Sequence, residues 1–293
     1  MREHIVEKHE IDQKLNKFLG RYMNKASKSF IHKMLRKKNI TLNGKKAEGS
    51  ENLKEGDIIK FFLSDETIQK FKEETRIYKR SPKLKIVYED EDMLLINKPS
   101  GLLSVPNNSS ESSLIDSIGN YLNSSEYAIV NRLDKNTSGL VICGKNLNCI
   151  RELNKLIKDR EIKKYYIAVV LGKVQKSGEL LGYHLKNEEK NKARILVNEK
   201  EGSKQVVTRF KPIKVLDNLT VLEVELVTGK AHQIRVHLAS IGHPILGDPK
   251  YGNKNINEKY KVENQLLHAY KVEIKGNIYV CEPNFKGFDI PLI

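Results

Sequence analysis

VLEVELVTGKAHQIRVHLASIGHPILGDPKYG, residues 221–252, decides how the larger part of this chain folds. From Val221 to Val227, Leu222, Val224 and Leu226 alternate with Glu223 and Glu225, the period of a strand buried on one face. Thr228 and Gly229 break the strand, and Ala231–Ile241 reads as a helix. A strand, a glycine turn and a helix carrying Arg235 can aim a guanidinium into a cleft. His232, His237 and His243 raise the question of zinc. Their spacing lacks the same-face pair with a neighbouring Glu of a metallohydrolase helix, so no metal is expected.

Working outward, Ile86–Tyr88 and Met93–Asn97 are short strands on either side of the acidic turn 89–92. Ala128–Val130 and Leu140–Cys143 are two more, and Tyr165–Leu171 is an apolar strand. Asn146–Arg160 is a helix, with Leu147, Ile150, Leu153 and Ile157 along one side. Many strands joined by short turns, with few helices, predict an α+β fold: a mixed, largely antiparallel sheet with helices packed on it, over residues 83–293.

Residues 1–64 form a separate small α/β domain on the same reasoning. Ile11, Leu15, Phe18, Leu19 and Tyr22 recur at helical spacing. A second helix follows Ser27 or Ser29 as N-cap, with Phe30, Ile31, Met34 and Leu35 inward and Lys33, Arg36 and Lys37 outward. Ile40–Leu42 enters an Asn43-Gly44 turn that needs left-handed backbone. A Gly56-Asp57 turn leads to a last strand, Ile58–Leu63. Residues 65–82 are charged and polar, end at Pro82, and read as a linker with a helical piece. Residues 107–113 (NNSSESS) read as a loop.

Composition bounds the function. The 293 residues carry 52 Lys and Arg against 37 Asp and Glu, a net charge of +15. Such a surplus attracts polyanions, of which nucleic acid is the commonest in a cell. It is concentrated: between Lys25 and Lys46 there are eight basic residues and no acidic one. No apolar run approaches the roughly 20 residues of a membrane span, and the start MREHIVEKHE has charge where a signal peptide needs an apolar stretch. The three cysteines contain no CxxC, which argues against a disulfide framework. A reduced, monomeric cytoplasmic protein is expected.

Two further segments carry chemistry. In Asn131-Arg132-Leu133-Asp134-Lys135-Asn136-Thr137-Ser138-Gly139-Leu140, a carboxylate sits between cations, which favour its ionised form. Alone, such an Asp reads as a turn-former; in a cleft it can be a nucleophile, a base or an electrostatic anchor. In Lys163-Lys164-Tyr165-Tyr166-Ile167-Ala168, strand alternation sends the two tyrosines to opposite faces, so that one can stack on a base while the other packs.

In order and spacing, NRLDKNTSGL, KKYYIAVVLG and TGKAHQIRVHLASIGHPILGDPKYG resemble the motifs of the RluA-type RNA pseudouridine synthases. LLINKPSGLLSV resembles that family's opening motif. KSFIHKMLRKKNITLNGKK followed by ENLKEGDII resembles the S-four RNA-binding domain, which points to the RluC branch acting on large-subunit ribosomal RNA. The resemblance implies that Asp134 is the catalytic carboxylate, that Tyr166 stacks on a flipped uracil, and that Arg235 pairs with Asp134. It implies substrate contacts from Arg132, Lys164, His232 and Gln233, with Lys33, Arg36 and Lys37 on RNA. Isomerisation of uridine needs no carrier, so no cofactor is expected; the partner is 23S ribosomal RNA or a pre-ribosomal particle. The chain departs from the family pattern at Asn131, where His is common, at Asn136, where Asp is common, and at Lys230, where Arg is common. The carboxylate could attack the anomeric carbon, attack the ring or abstract a sugar proton. The competing readings are a non-catalytic RNA-binding or ribosome-assembly protein, a metal-dependent hydrolase, and the same enzyme acting on transfer RNA.

Overall fold

The computed structural model describes residues 2–7, 10–11, 13–71, 83–106, 111–124, 126–187 and 192–285. The chain divides into two compact units, Met1–Ile77 and Tyr78–Ile293.

The first unit contains β1 (Arg2–Ile5), α1 (Leu15–Tyr22), α2 (Lys28–Arg36), β2 (Ile40–Leu42), β3 (Lys45–Lys46), β4 (Ile58–Phe61) and α3 (Asp65–Phe71), with strand order β1-β4-β2-β3. Leu15, Phe18 and Leu19 of α1 and Ile31, Met34 and Leu35 of α2 are buried with Ile40, Ile59 and Phe61. Ser27 caps α2, its Oγ accepting from the Phe30 N–H at 3.1 Å, which satisfies one of the helix's free amides. Asn43 and Gly44 have φ of 50° and 74°, the left-handed pair that a two-residue hairpin of this type demands. The expected first helix is shorter than its apolar pattern: Lys14 is extended and bridges Asn52, so Ile11 packs from outside the helix. The expected linker also differs. Its start, Asp65–Phe71, is a helix whose Ile68 is fully buried in this unit's core; residues 72–82 lie outside the described residues.

The second unit contains β5 (Ile86–Glu89), β6 (Met93–Lys98), α4 (Leu114–Leu122), β7 (Ala128–Ile129), β8 (Ser138–Gly144), α5 (Leu147–Lys158), β9 (Lys163–Leu171), β10 (Gly178–Asn187), β11 (Lys192–Leu196), β12 (Lys204–Val215), β13 (Leu219–Leu226), α6 (Gln233–Ser240), α7 (Lys254–Lys259), β14 (Leu267–Ile274) and β15 (Asn277–Val280). The strands form one sheet in the order β11-β10-β12-β13-β9-β14-β8-β6-β5, with β15 on β14 and β7 on β8. Every pairing is antiparallel except β14 with β8. That parallel contact is close. A Cβ on Gly139 would lie 2.2 Å from the Ala269 carbonyl oxygen, and its φ is +112°, so only glycine fits there.

Both faces of the central strands are covered. On one, α4 and α6 pack Leu114, Ile118, Ile234 and Leu238 against Ala168, Val170, Leu222 and Val224. On the other, Leu153 of α5 meets Leu95, Leu140 and Ile142, while Ile167, Val169 and Val221 form a third cluster. Hence β13 is not buried on one face only, as its alternation predicts: Val221 and Leu222 are both buried. The composition of residues 107–113 predicts a loop. Ser113 instead opens α4, its N–H and Oγ both donating to Asp116 Oδ2; residues 107–110 lie outside the described residues.

Candidate active site

Asp134 occupies the loop before β8 and is fixed from both sides by the segment after β6. Ser104 Oγ donates to the Leu133 carbonyl at 2.7 Å and accepts from the Leu133 N–H at 3.0 Å. The Lys98 ammonium donates to the carbonyls of Pro99, Leu102 and Lys135 at 2.8, 2.7 and 3.0 Å. Lys98 has no exposed surface. Burial pushes its pKa down to about 7, opposed by the charge of Asp134. A lysine accepts such a place only where all three protons find acceptors, and here they tie the two loops together. Asn131 extends the pairing of β7 with β8 by side chain: its Oδ1 accepts from the Ile142 N–H at 2.7 Å and its Nδ2 donates to the Leu140 carbonyl at 3.2 Å.

Arg235 reaches this loop from α6, 101 residues further along. Its Nη1 donates to Asp134 Oδ2 at 2.7 Å. Its Nε and Nη2 donate to the two oxygens of Asp248 at 2.7 and 2.8 Å, the fork geometry in which a guanidinium is aimed as well as bound. Asp248 is itself held, its Oδ1 also accepting from the N–H groups of Lys250 and Tyr251. The Asp248 side chain is fully buried, that of Arg235 is 4% exposed, and that of Asp134 is 27% exposed. Burial disfavours the charge on Arg235, but the bonds to Asp248 and Asp134 outweigh it and raise the pKa. For Asp248 the same bonds outweigh burial and lower it. No described residue hydrogen-bonds to the other Asp134 oxygen, Oδ1.

Tyr166 on β9 lines the same recess, together with Asp134, Leu226, His232 and Leu267. Tyr165 goes to the opposite face, where the Lys271 ammonium lies 3.9 Å from its ring centre. Burial raises the Tyr166 pKa, and the charge of Asp134 raises it further. The recess opens into a cleft of about 830 Å³ whose rim carries Arg132, Lys135, Lys164, Lys230 and Lys250. Lys135 pairs with Glu111 at 2.8 Å. Arg132, Lys164 and Lys230 have no carboxylate partner among the described residues. Burial lowers the pKa of Lys164. Asn136 also lines the cleft, and its carbonyl accepts from Ser100 Oγ.

Gln233 departs from its expected role at the substrate. Its Nε2 donates to the Val207 carbonyl and Thr208 Oγ1, and its Oε1 accepts from Thr228 Oγ1 and the Lys230 N–H. With all four positions used inside the protein, the amide locks the turn between β13 and α6 and leaves nothing for a ligand. The three histidines also part company. His232 Nδ1 faces the Tyr251 hydroxyl, His237 Nδ1 faces Thr208 Oγ1, and His243 Nδ1 faces the Leu171 carbonyl. Among the described residues no group of three His, Cys, Asp or Glu side chains could hold a metal ion. Lys33, Arg36 and Lys37 belong to the first unit. All three are exposed, Lys33 and Arg36 on α2 and Lys37 at its C-terminal cap, and Lys33 and Arg36 line a groove of about 410 Å³ with His32 and Lys46.

Residues 92–240 match the RNA pseudouridylate synthase family. A ribosomal large subunit pseudouridine synthase C of Rickettsia felis is 35% identical, over 94% of this chain and 93% of its own. The chain belongs to the RNA pseudouridylate synthase family. As a member it is an isomerase that converts uridine in RNA to pseudouridine. A ribosomal large subunit pseudouridine synthase C of Vibrio parahaemolyticus is 27% identical, over 90% of this chain and 85% of its own. The solved structure of human RNA pseudouridylate synthase domain containing 1 shares the fold of this pseudouridine synthase with a TM-score of 0.58, at 22% identity over 69% of this chain and 84% of that one. Among the described residues no helix is long and apolar enough to cross a membrane.

Proposed function

We propose that the chain isomerises uridines of large-subunit ribosomal RNA, with Asp134 as the catalytic carboxylate. The named relatives supply the substrate. The observation that carries the catalytic assignment is the division of labour on Asp134, which lines the recess: Oδ2 is bound to a buried guanidinium, and Oδ1 has no hydrogen-bond partner among the described residues. In the overall reaction the bond from the anomeric carbon to N1 breaks and one to C5 forms, while C5 loses a proton and N1 gains one. The target nucleotide leaves its stack to reach the recess, the usual solution when chemistry is done on a base. The cations at Arg132, Lys164 and Lys230, without a carboxylate partner among the described residues, serve the flanking phosphates, which position the strand without reading its sequence. The enzyme works as a single copy in the cytoplasm, and its three free, buried cysteines suit a reducing compartment. Mapping pseudouridine in ribosomal and transfer RNA from cells with and without this protein tests the substrate; loss confined to transfer RNA overturns it.

Tyr166 supplies the ring on which the uracil stacks. Its raised pKa keeps the phenol protonated in the resting enzyme, so the hydroxyl enters the reaction intact. Tyr166→Phe keeps the platform and removes that hydroxyl from beside Asp134. RNA binding is expected to hold while turnover falls by about 10²-fold, the scale of one general acid–base group. Turnover equal to the wild type reduces the contribution of Tyr166 to stacking.

Residues 1–64 act as an S-four-like RNA clasp, with 83–293 as the catalytic domain. The basic face of α2 carries this reading. Each phosphate contact contributes roughly 0.7–0.9 to the slope of log affinity against log salt. Replacing Lys33, Arg36 and Lys37 together by Ala is expected to flatten that slope by about 2 in a filter-binding titration. An unchanged slope places the RNA elsewhere.

A further inference from the structure

Tyr251 sits between the active-site helix and β11. Its ring faces the Arg235 guanidinium, 5.3 Å from the ring centre. Its hydroxyl oxygen accepts from the Ala193 N–H at 2.8 Å and lies 2.9 Å from His232 Nδ1. The amide can only donate, so the phenol's own proton is free for Nδ1. A neutral imidazole that accepts at Nδ1 carries its proton on Nε2. Nε2 points the other way, into the recess that holds Tyr166, and lies 4.0 Å from Asp134 Oδ2. His232 is held in this orientation by a backbone φ of 58°, a left-handed conformation that costs a non-glycine residue energy and recurs at functional sites. Burial lowers the His232 pKa; Asp134 opposes the shift, and Arg235 and Lys250 add to it. The ring is therefore neutral at neutral pH.

The reaction has a use for a fixed neutral donor at this place. Turning uracil about the line from N3 to C6 exchanges N1 with C5, and it exchanges the two carbonyls with each other. A donor beside the reacting edge meets O2 before the turn and O4 after it. Cytosine offers the same O2 before the turn and an amino group only after it, so the donor meets an unmatched polar group in the turned base alone.

The geometry points to Tyr251 as a positioning residue that fixes His232 in its Nε2–H tautomer, and to His232 as the hydrogen-bond donor to the uracil carbonyl on the reacting edge. This assignment rests on Asp134 being the catalytic carboxylate of the same recess, and it adds a donor that serves a carbonyl of the base both before and after its turn.

The test begins with nitrogen NMR of the full chain labelled at histidine, which reads the tautomer without any turnover. Wild type should show His232 protonated on Nε2 alone, and Tyr251→Phe should show a mixture of tautomers. In single-turnover assays on a uridine-containing RNA, His232→Ala and Tyr251→Phe are each expected to slow the reaction by about tenfold, the worth of one hydrogen bond in the transition state. Gln places an amide N–H near the position of Nε2. His232→Gln should therefore recover most of the rate lost in His232→Ala, and Tyr251→Phe should cost far less in that background. A wild-type Nδ1–H tautomer overturns the proposal. So does a His232→Gln variant as slow as His232→Ala with an undiminished cost of Tyr251→Phe. If the catalytic reading of Asp134 is the part at fault, Asp134→Asn stays active while the tautomer result stands, so the two failures separate.

Discussion

Asp134→Asn is expected to abolish pseudouridine formation, by about 10⁴-fold or more, with RNA binding and the fold nearly intact. The substitution keeps the shape of the side chain and removes its charge and its power as a nucleophile or base. Little else depends on it. The side chain is 27% exposed, and Arg235 retains both bonds to Asp248 when this third one is lost. The change in stability should stay near 1 kcal/mol, the size of one partly exposed hydrogen bond. Tritium release from C5-labelled uridine RNA reads the chemistry, a filter-binding titration reads the affinity, and thermal unfolding reads the stability. A variant that still isomerises uridine at a normal rate removes Asp134 from the chemistry and leaves the cleft needing another carboxylate. Loss of activity together with loss of folding would instead make Asp134 a structural residue.

Separating these outcomes depends on burial, which the sequence does not display. The elements with strong periodicity were legible: α1, α2, α5, β6, β9 and β13 all follow from apolar spacing. The capped start of α2 and the Asn43-Gly44 hairpin follow from turn and cap chemistry. Others were hidden by their own composition. In β12, Pro212 interrupts the strand signal, and the structure accommodates it where the register shifts between Pro212 and Lys214. In α4, Ser117, Gly119 and Asn120 mask a helix whose one clear sign was Ser113 followed by Asp116. Asp134, Tyr166 and Arg235 stand out in their motifs, and the recess unites them. The supports of the site do not stand out in the sequence. Lys98 reads as a surface lysine until three carbonyls are found around it. Asp248 reads as a turn residue in Gly-Asp-Pro, because sequence order does not say which carboxylates a guanidinium will meet.

Asp248 decides the second large effect. Arg235→Ala is expected to eliminate activity and, unlike Asp134→Asn, to destabilise the protein by about 3–5 kcal/mol, the cost of breaking a buried ion pair by removing one partner. The asymmetry follows from solvent. Without Arg235, Asp134 can still be hydrated through the cleft, whereas the fully buried Asp248 side chain is left with two backbone amides and no cation bonded to it. The lowered pKa of Asp248 depends largely on Arg235, so the variant should bind a proton there on folding. Its stability should consequently rise as pH falls through the raised folded pKa toward the unfolded value. Wild type has the opposite sign at this residue: the folded pKa lies below the unfolded one, and the stability it contributes is present above the unfolded value and lost as pH falls through the folded one. Arg235→Lys separates charge from geometry. An ammonium restores a positive charge but cannot hold the fork on Asp248 and reach Asp134 at once, so it should recover part of the stability and little of the turnover. Chemical denaturation between pH 4 and 8, run beside the turnover assay, measures both. Equal stability losses for Arg235→Ala and Asp134→Asn, with no difference in their pH dependence, would show that Asp248 is not the clamp that aims the guanidinium at the catalytic carboxylate.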